Sequence, residues 1–333
     1  MLRPQGHEGS SPSLGTSIFM KKILVILGPT AVGKSDLAVK IARKISNDYK
    51  NQKDEKTRLD SFSGAEIISA DSRQVYKGLN IGTGKITRKE MQGIKHRLID
   101  VANPKKRFDV EKYKNLAKKA IENITSKNKL PIVVGGTGFY IQALIDGIIF
   151  SDVQPNNELR ETLSKKSDEE LMEILKGLDL RRAKDIDPKN SRRIIRAIEI
   201  AVTLGKVPKL KSIPNRFDTL FIGLTLPPKE LRKKIKDRLI KRMKKGMLSE
   251  AKKLHEKNGL SWKRMNELGL EYRYLALYLQ NKIDKKEMLE KLETEIWHYA
   301  KRQITWFKKD KRIKWFEPKD IEKINKEIEN FLS

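Results

Sequence analysis

The chain has 333 residues, enough for one large domain or two, and it contains no cysteine. That excludes disulfides, thiol nucleophiles and cysteine zinc sites, and it fits a reducing cytoplasm. The formal net charge of +29 exceeds what solubility needs and points to a polyanionic partner, nucleic acid before anionic membrane, with lysine-rich composition as the competing explanation.

In chain order, residues 1–20 are rich in Gly, Ser and Pro with no apolar stretch, and read as a disordered extension rather than a secretory signal. The run Ile23-Leu24-Val25-Ile26-Leu27 predicts a short buried strand. Gly28-Pro29-Thr30-Ala31-Val32-Gly33-Lys34-Ser35 follows, with the spacing G-x-x-x-x-G-K-S, and then a helix to about Ser46. This is a phosphate-cradling loop: glycines let the backbone turn, successive N–H groups face phosphate oxygens, Lys34 adds a charge and the Ser35 hydroxyl can ligand Mg²⁺. Gly28 through Ser35 are therefore the candidate diphosphate-binding residues, and the loop alone suggests ATP.

Asn47 to Gly64 is polar and aperiodic, and reads as a loop or helix extension. Strands are predicted over Ala65–Ala70, His96–Val101 and Leu130–Val134, with a helix capped by Asp109 running to Thr125 and another after Gly135-Gly136-Thr137 to Ile145. Gly78, Gly82 and Gly84 punctuate a loop between the first two of these strands. This alternation predicts a parallel sheet covered on both faces, with its site at the strands' carboxyl ends. The pattern breaks near Ile149 into short helices over 157–166, 168–178 and 190–204, an inserted helical subdomain. A strand returns at Phe217–Leu226, Pro227-Pro228 opens a long helix over 229–258, and helices around 272–280, 285–307 and 321–331 complete the chain. The expected organisation is 1–20 extension, 21–150 first part of the core, 151–214 helical insertion and 215–333 second part of the core.

Asp71, at the end of the strand neighbouring the phosphate loop, is a candidate general base, with a turn cap as the bland alternative. Ser72-Arg73-Gln74 beyond it offers groups that pair with a base edge, stack or hold phosphate. Thr137 lies in a second glycine turn, where a substrate can approach the backbone closely. Arg192, Arg193 and Arg196 share a helix on which Ile194, Ile195 and Ile198 pack inward, either a nucleic-acid contact or a solvated basic face. Lys301-Arg302-Gln303 is flanked by Trp297, Tyr299, Trp306 and Phe307, aromatics read as core more than as base-stacking platforms.

These motifs together with Ile81-Gly82-Thr83-Gly84-Lys85, Arg193-x-x-Arg196-Ala197-x-Glu199 and Ala300-Lys301-Arg302-Gln303-Ile304-Thr305-Trp306-Phe307 resemble the tRNA dimethylallyltransferase family, in order from about Ile23 to Phe316. The resemblance implies an α/β fold, a P-loop NTPase-like parallel sheet with helices on both faces and an inserted all-helical subdomain. It implies transfer of a dimethylallyl group from dimethylallyl diphosphate to the exocyclic amine of the adenosine 3′ of the anticodon in tRNAs reading codons that begin with U. Asp71 would be the general base, residues Thr30–Ser35 would hold the diphosphate with Lys34 among the catalytic groups, and Ser35 would ligand Mg²⁺. Arg238 would neutralise the leaving diphosphate. Asp71, Ser72, Arg73, Gln74 and Thr137 would receive the flipped base, and Arg160, Arg192, Arg193, Arg196, Lys301, Arg302 and Gln303 would contact tRNA. The family further implies a cytoplasmic enzyme, expected as a monomer, without a membrane partner and, lacking cysteines, of the finger-less bacterial type. The chain departs from the family at Asn80, where an aspartate is usual, and at Gly269-Leu270-Glu271-Tyr272. The alternatives are a P-loop small-molecule kinase, an RNA-binding ATPase and an isopentenyltransferase acting on free adenine nucleotides.

Overall fold

The computed structural model describes residues 20–51, 61–213 and 217–333; the extension expected over 1–20 falls almost wholly outside them. The first half lays down β1 (Lys21–Leu27), α1 (Lys34–Asn51), β2 (Ala65–Ser69), α2 (Arg88–Met91), β3 (His96–Arg97), α3 (Val110–Thr125), β4 (Leu130–Gly135), α4 (Gly138–Ile145) and β5 (Ile148–Ile149). Next come α5 (Asn157–Leu163), α6 (Asp168–Leu178), α7 (Leu180–Asp185), α8 (Ser191–Leu204) and β6 (Lys211–Ser212). The chain ends with β7 (Phe217–Leu224), α9 (Pro228–Lys244), α10 (Met247–Glu256), α11 (Trp262–Leu268), α12 (Leu270–Leu279), α13 (Lys285–Phe307), β8 (Ile313–Phe316) and α14 (Ile321–Leu332).

Among the described residues the main sheet has the order β3-β2-β4-β1-β7-β8, and all its pairings are parallel. A parallel sheet is buried on both faces, which is why its strands read as continuous apolar runs rather than alternating ones. In β1, Ile23, Val25 and Leu27 pack with α3 and α4 on one face, while Leu24 and Ile26 pack with α1 and α14 on the other. β1 sits between β4 and β7, so the turn leaving it is held from both sides. β2, which ends before Asp71, is therefore not the neighbour of the phosphate-loop strand that the sequence suggests, because β4 lies between them. Gly28 begins that turn at φ +142°, and a Cβ there would stand 2.4 Å from the Leu224 carbonyl oxygen of β7. Only glycine fits that approach.

Helices α5–α8 form a separate core of Leu163, Leu171, Leu175, Ile194 and Ile198. They leave and rejoin the rest through β5 and β6, an antiparallel pair in register Ile148↔Ser212. A further core beneath α9–α13 takes in Val75, Tyr76 and Leu79 from the loop after β2, binding that loop to the C-terminal helices. No helix among the described residues is long and apolar enough to cross a membrane.

The structure differs from the sequence expectation in several elements. The strand expected over His96–Val101 stops at Arg97, because Leu98 and Asp100 take left-handed φ values of 61° and 57°. The helix expected over 229–258 breaks into α9 and α10 at Gly246, whose φ of +93° no helix interior accommodates. The first helix runs on to Asn51, α7 and α11 are additional, and β8 adds an edge strand.

Glu199 of α8 is 1% exposed. It accepts from the Asn156 N–H (2.5 Å), from Arg160 Nε (3.0 Å) and Nη2 (2.8 Å), and from Arg196. Burial by itself would raise its pKa, but the Arg160, Arg196 and Asn156 hydrogen bonds outweigh it and hold the carboxylate below its usual 4.5. A depressed carboxylate contributes stability above that value and loses it as pH falls through the folded pKa. Glu199→Ala should therefore destabilise α5–α8 by about 2–3 kcal/mol, discounted for the partly exposed arginines. Hydrogen exchange should show faster exchange in 157–204 and little change in β1, β4 and β7.

Candidate functional site

At the carboxyl ends of β1, β2 and β4 lies a cavity of about 310 Å³. The phosphate loop forms one side, through Thr30, Ala31, Gly33, Lys34 and Ser35. Asp71 and Gln74, just past β2, form another, and Thr83 and Gly84 with Arg238 of α9 close the far wall. The sequence thus brings the phosphate loop, Asp71 and Arg238 into one chamber although about 200 residues separate the first from the last.

Asp71 is set by its own turn. Its Oδ1 accepts the N–H groups of Arg73 (2.8 Å) and Gln74 (3.2 Å), an arrangement typical of Asx turns, and leaves Oδ2 for a ligand. Thr137 Oγ1 accepts the Ser72 N–H at 3.0 Å, joining this turn to the one after β4. Tyr299 lines the same chamber beside Thr137; burial first, then the nearby Asp71 charge, holds its phenol well above the ordinary range.

Cations crowd the chamber. Lys34 Nζ donates to the Pro29 carbonyl at 2.6 Å. Burial, and then the Arg238 guanidinium, lowers its pKa to about 7, against the raising pull of Asp71. Arg238 Nη1 donates to Thr30 Oγ1 and Nη2 to the Gly84 carbonyl, both at 3.3 Å. Burial and the neighbouring Arg242 bring Arg238 down to about 10, still charged at neutral pH. Such a cluster is costly when empty and favourable around a polyanion.

The expected RNA-contacting residues divide. Arg192, Arg193, Lys301 and Arg302 are exposed. Although its side chain reaches solvent, Arg192 is partly desolvated by its surroundings, which, with repulsion from Arg107, Arg273 and Arg73, holds its pKa below the usual range against the pull of Glu267. Arg160 and Arg196 are instead committed to Glu199, and a guanidinium bound to a buried carboxylate is a poor phosphate ligand. Gln303 is 6% exposed, not on an open face. Its Oε1 accepts the Thr30 N–H at 2.9 Å and its Nε2 donates to the Gly136 carbonyl at 2.8 Å. Trp306, read as core, is 37% exposed and meets Phe139 edge-on, while Phe307 is buried as expected.

The loop around Thr83 and Gly84, with the Arg242–Glu271 pair behind it at 2.9 Å, was not assigned from sequence. Its signal was the glycine spacing of 78, 82 and 84.

The family model described as IPP transferase matches residues 74–310. The tRNA dimethylallyltransferase of Anoxybacillus flavithermus is 37% identical over 90% of this chain and 91% of its own. Two solved structures are similar as well. The full-length tRNA isopentenylpyrophosphate transferase of Bacillus halodurans has a TM-score of 0.67 at 31% identity, covering 94% of this chain and 97% of its own. A eukaryotic dimethylallyltransferase acting on tRNA has a TM-score of 0.69 at 28% identity, covering 86% and 70% respectively.

With Lys34 at about 7 rather than 10.5, the amine is mostly neutral at pH values above about 7. A bound diphosphate raises that pKa again, so binding inorganic pyrophosphate at pH about 8 should take up a proton at Lys34 and weaken as pH rises further. Calorimetry in two buffers of different ionisation enthalpy measures the uptake. It should be smaller in Lys34→Ala by close to one proton.

Proposed function

The chain belongs to the IPP transferase family, and from that membership we propose that it is a tRNA dimethylallyltransferase acting on the adenosine 3′ of the anticodon in tRNAs that read codons beginning with U. The observation that carries the reading is the sharing of one cavity by a phosphate loop, a pinned carboxylate and a buried guanidinium. A diphosphate fits the first and third, and an attacking amine fits the second.

In this reading, backbone N–H groups of the loop, Lys34 and Ser35 hold the diphosphate of dimethylallyl diphosphate. The adenosine leaves its stack, at a cost of a few kcal/mol that is least in a single-stranded loop. Its base is received by Ser72, Arg73, Gln74 and Thr137. The exocyclic nitrogen attacks the first prenyl carbon, the carbon–oxygen bond breaks, and the electron pair leaves with the diphosphate. Asp71 Oδ2 takes the proton that the nitrogen loses. Arg238 meets charge that grows on the departing oxygen, so its effect is larger in the transition state than in the ground state.

The Ser35 hydroxyl, which lines the cavity, fits a hard cation that keeps several of its waters, as Mg²⁺ does. Bound there, Mg²⁺ would neutralise part of the diphosphate charge. Exposed Arg192, Arg193, Lys301 and Arg302 grip the anticodon arm, and the enzyme works as a monomer in the cytoplasm, where its tRNA is found.

Incubation with unmodified tRNA and dimethylallyl diphosphate, followed by nucleoside mass spectrometry, should yield a prenylated adenosine; AMP in place of tRNA should yield little. A phosphorylated acceptor with no prenylated nucleoside would support a kinase instead. Asp71→Asn should lower kcat by about 10²–10⁴-fold with tRNA affinity nearly unchanged. Arg193→Ala should weaken tRNA binding and reduce the slope of log affinity against log salt by about one; filter binding across a salt series reads this directly.

A further inference from the structure

The wall of the cavity formed by Thr83 and Gly84 belongs to a loop that is held from behind. Glu250 of α10 accepts the backbone N–H groups of Asn80 (3.0 Å) and Ile81 (2.8 Å) on Oε2, and that of Gly82 (2.9 Å) on Oε1. The Tyr272 hydroxyl donates to the same Oε1 at 2.8 Å. Burial, then the adjacent Glu250 charge, holds that phenol far above its ordinary range, so it stays a donor. Three successive amides converging on one anion make a nest of the kind that elsewhere receives phosphate. Here the protein's own carboxylate fills it.

Two of the loop's carbonyls, those of Gly82 and Gly84, accept from cations. Gly82 O accepts from Arg242 Nη1 at 3.2 Å, and Arg242 is paired with Glu271. Gly84 O accepts from Arg238 Nη2, whose Nη1 reaches Thr30 of the phosphate loop. A chain of contacts therefore runs from Glu250 through the loop's backbone to the guanidinium of Arg238.

We propose that Glu250 is a positioning residue for the transfer reaction: by fixing the N–H side of residues 80–82 it sets the Gly84 carbonyl that aims Arg238 at the diphosphate. The assignment rests on the reading of Arg238 as the cation that meets the leaving group. Glu250 itself touches neither substrate. Its effect comes through geometry, because a preorganised charge loses most of its benefit when misplaced by about 1 Å. Glu250→Gln keeps the size of the side chain but replaces one acceptor oxygen by an NH₂ group, which faces donors it cannot satisfy.

The test is a double-mutant cycle on the full chain with Glu250→Gln, Arg238→Ala and both together, read by pyrophosphate affinity and separately by kcat for prenyl transfer. Glu250→Gln alone should weaken pyrophosphate binding about tenfold and lower kcat about 10- to 100-fold, while tRNA affinity stays within about twofold. In the Arg238→Ala background the same substitution should add less than about twofold to either. Tyr272→Phe, which removes one of the four donors and keeps the ring, should move both readouts the same way by a smaller factor; it serves in the same cycle if Glu250→Gln does not fold. An equal loss with and without Arg238, or no loss at all, would overturn the proposal. If the wild-type chain binds pyrophosphate but transfers no prenyl group, the reaction reading fails, and the cycle on pyrophosphate still decides whether Glu250 acts through Arg238.

Discussion

A single buried amide ties together the parts from which the cavity is made. Gln303, near the end of α13, takes the Thr30 N–H with its oxygen and gives a proton to the Gly136 carbonyl with its nitrogen. The first partner lies in the turn after β1 and the second in the turn after β4, so one side chain locks two strand ends and a C-terminal helix into one frame. Without it, the buried Gly136 carbonyl would lose a partner at about 1–3 kcal/mol, and the partly buried Thr30 N–H would lose one at a smaller cost. Register between β1 and β4 brings the turns close, with Leu27 opposite Gly135, and Gln303 fixes how they face each other.

Around this frame the charges are arranged to await an anion. Lys34 and Arg238 are both held below their ordinary pKa values by burial and by repulsion from neighbouring cations. Carboxylates nearby are mostly occupied: Glu271 by Arg242, Glu250 by three amides and a phenol, and one oxygen of Asp71 by two amides. Positive charge therefore faces the cavity, with the second oxygen of Asp71 and the Asp36 carboxylate beside it. Such a site favours a polyanionic group next to a proton donor.

Much of this was legible in the sequence because the sheet is parallel and doubly covered. Its central strands are uninterrupted apolar runs, and the phosphate loop follows the first of them with fixed spacing. The end of the strand at Arg97 was not legible, since Leu98-Ile99-Asp100-Val101 has strand composition and only the positive φ at Leu98 and Asp100 ends it. The break at Gly246 was hidden in a lysine-rich run of helical character. Gln303 reads as part of a polar triplet, yet helical spacing sets it in line with Ile296, Ala300 and Phe307, all buried, and that was the available signal. Arg160 and Arg196 look like surface cations until Glu199, three residues after Arg196, is seen to be buried beneath them.

The phosphate loop is shared with enzymes that cut a phosphorus–oxygen bond, whereas prenyl transfer breaks the carbon–oxygen bond and lets the diphosphate leave whole. Dimethylallyl diphosphate carrying a heavy-oxygen label at the atom that joins carbon to phosphorus distinguishes the two in one reaction with tRNA. Carbon–oxygen cleavage predicts that all of the label appears in pyrophosphate, with an equal yield of prenylated adenosine. Label retained on the five-carbon group, or phosphate gained by the acceptor, would contradict it.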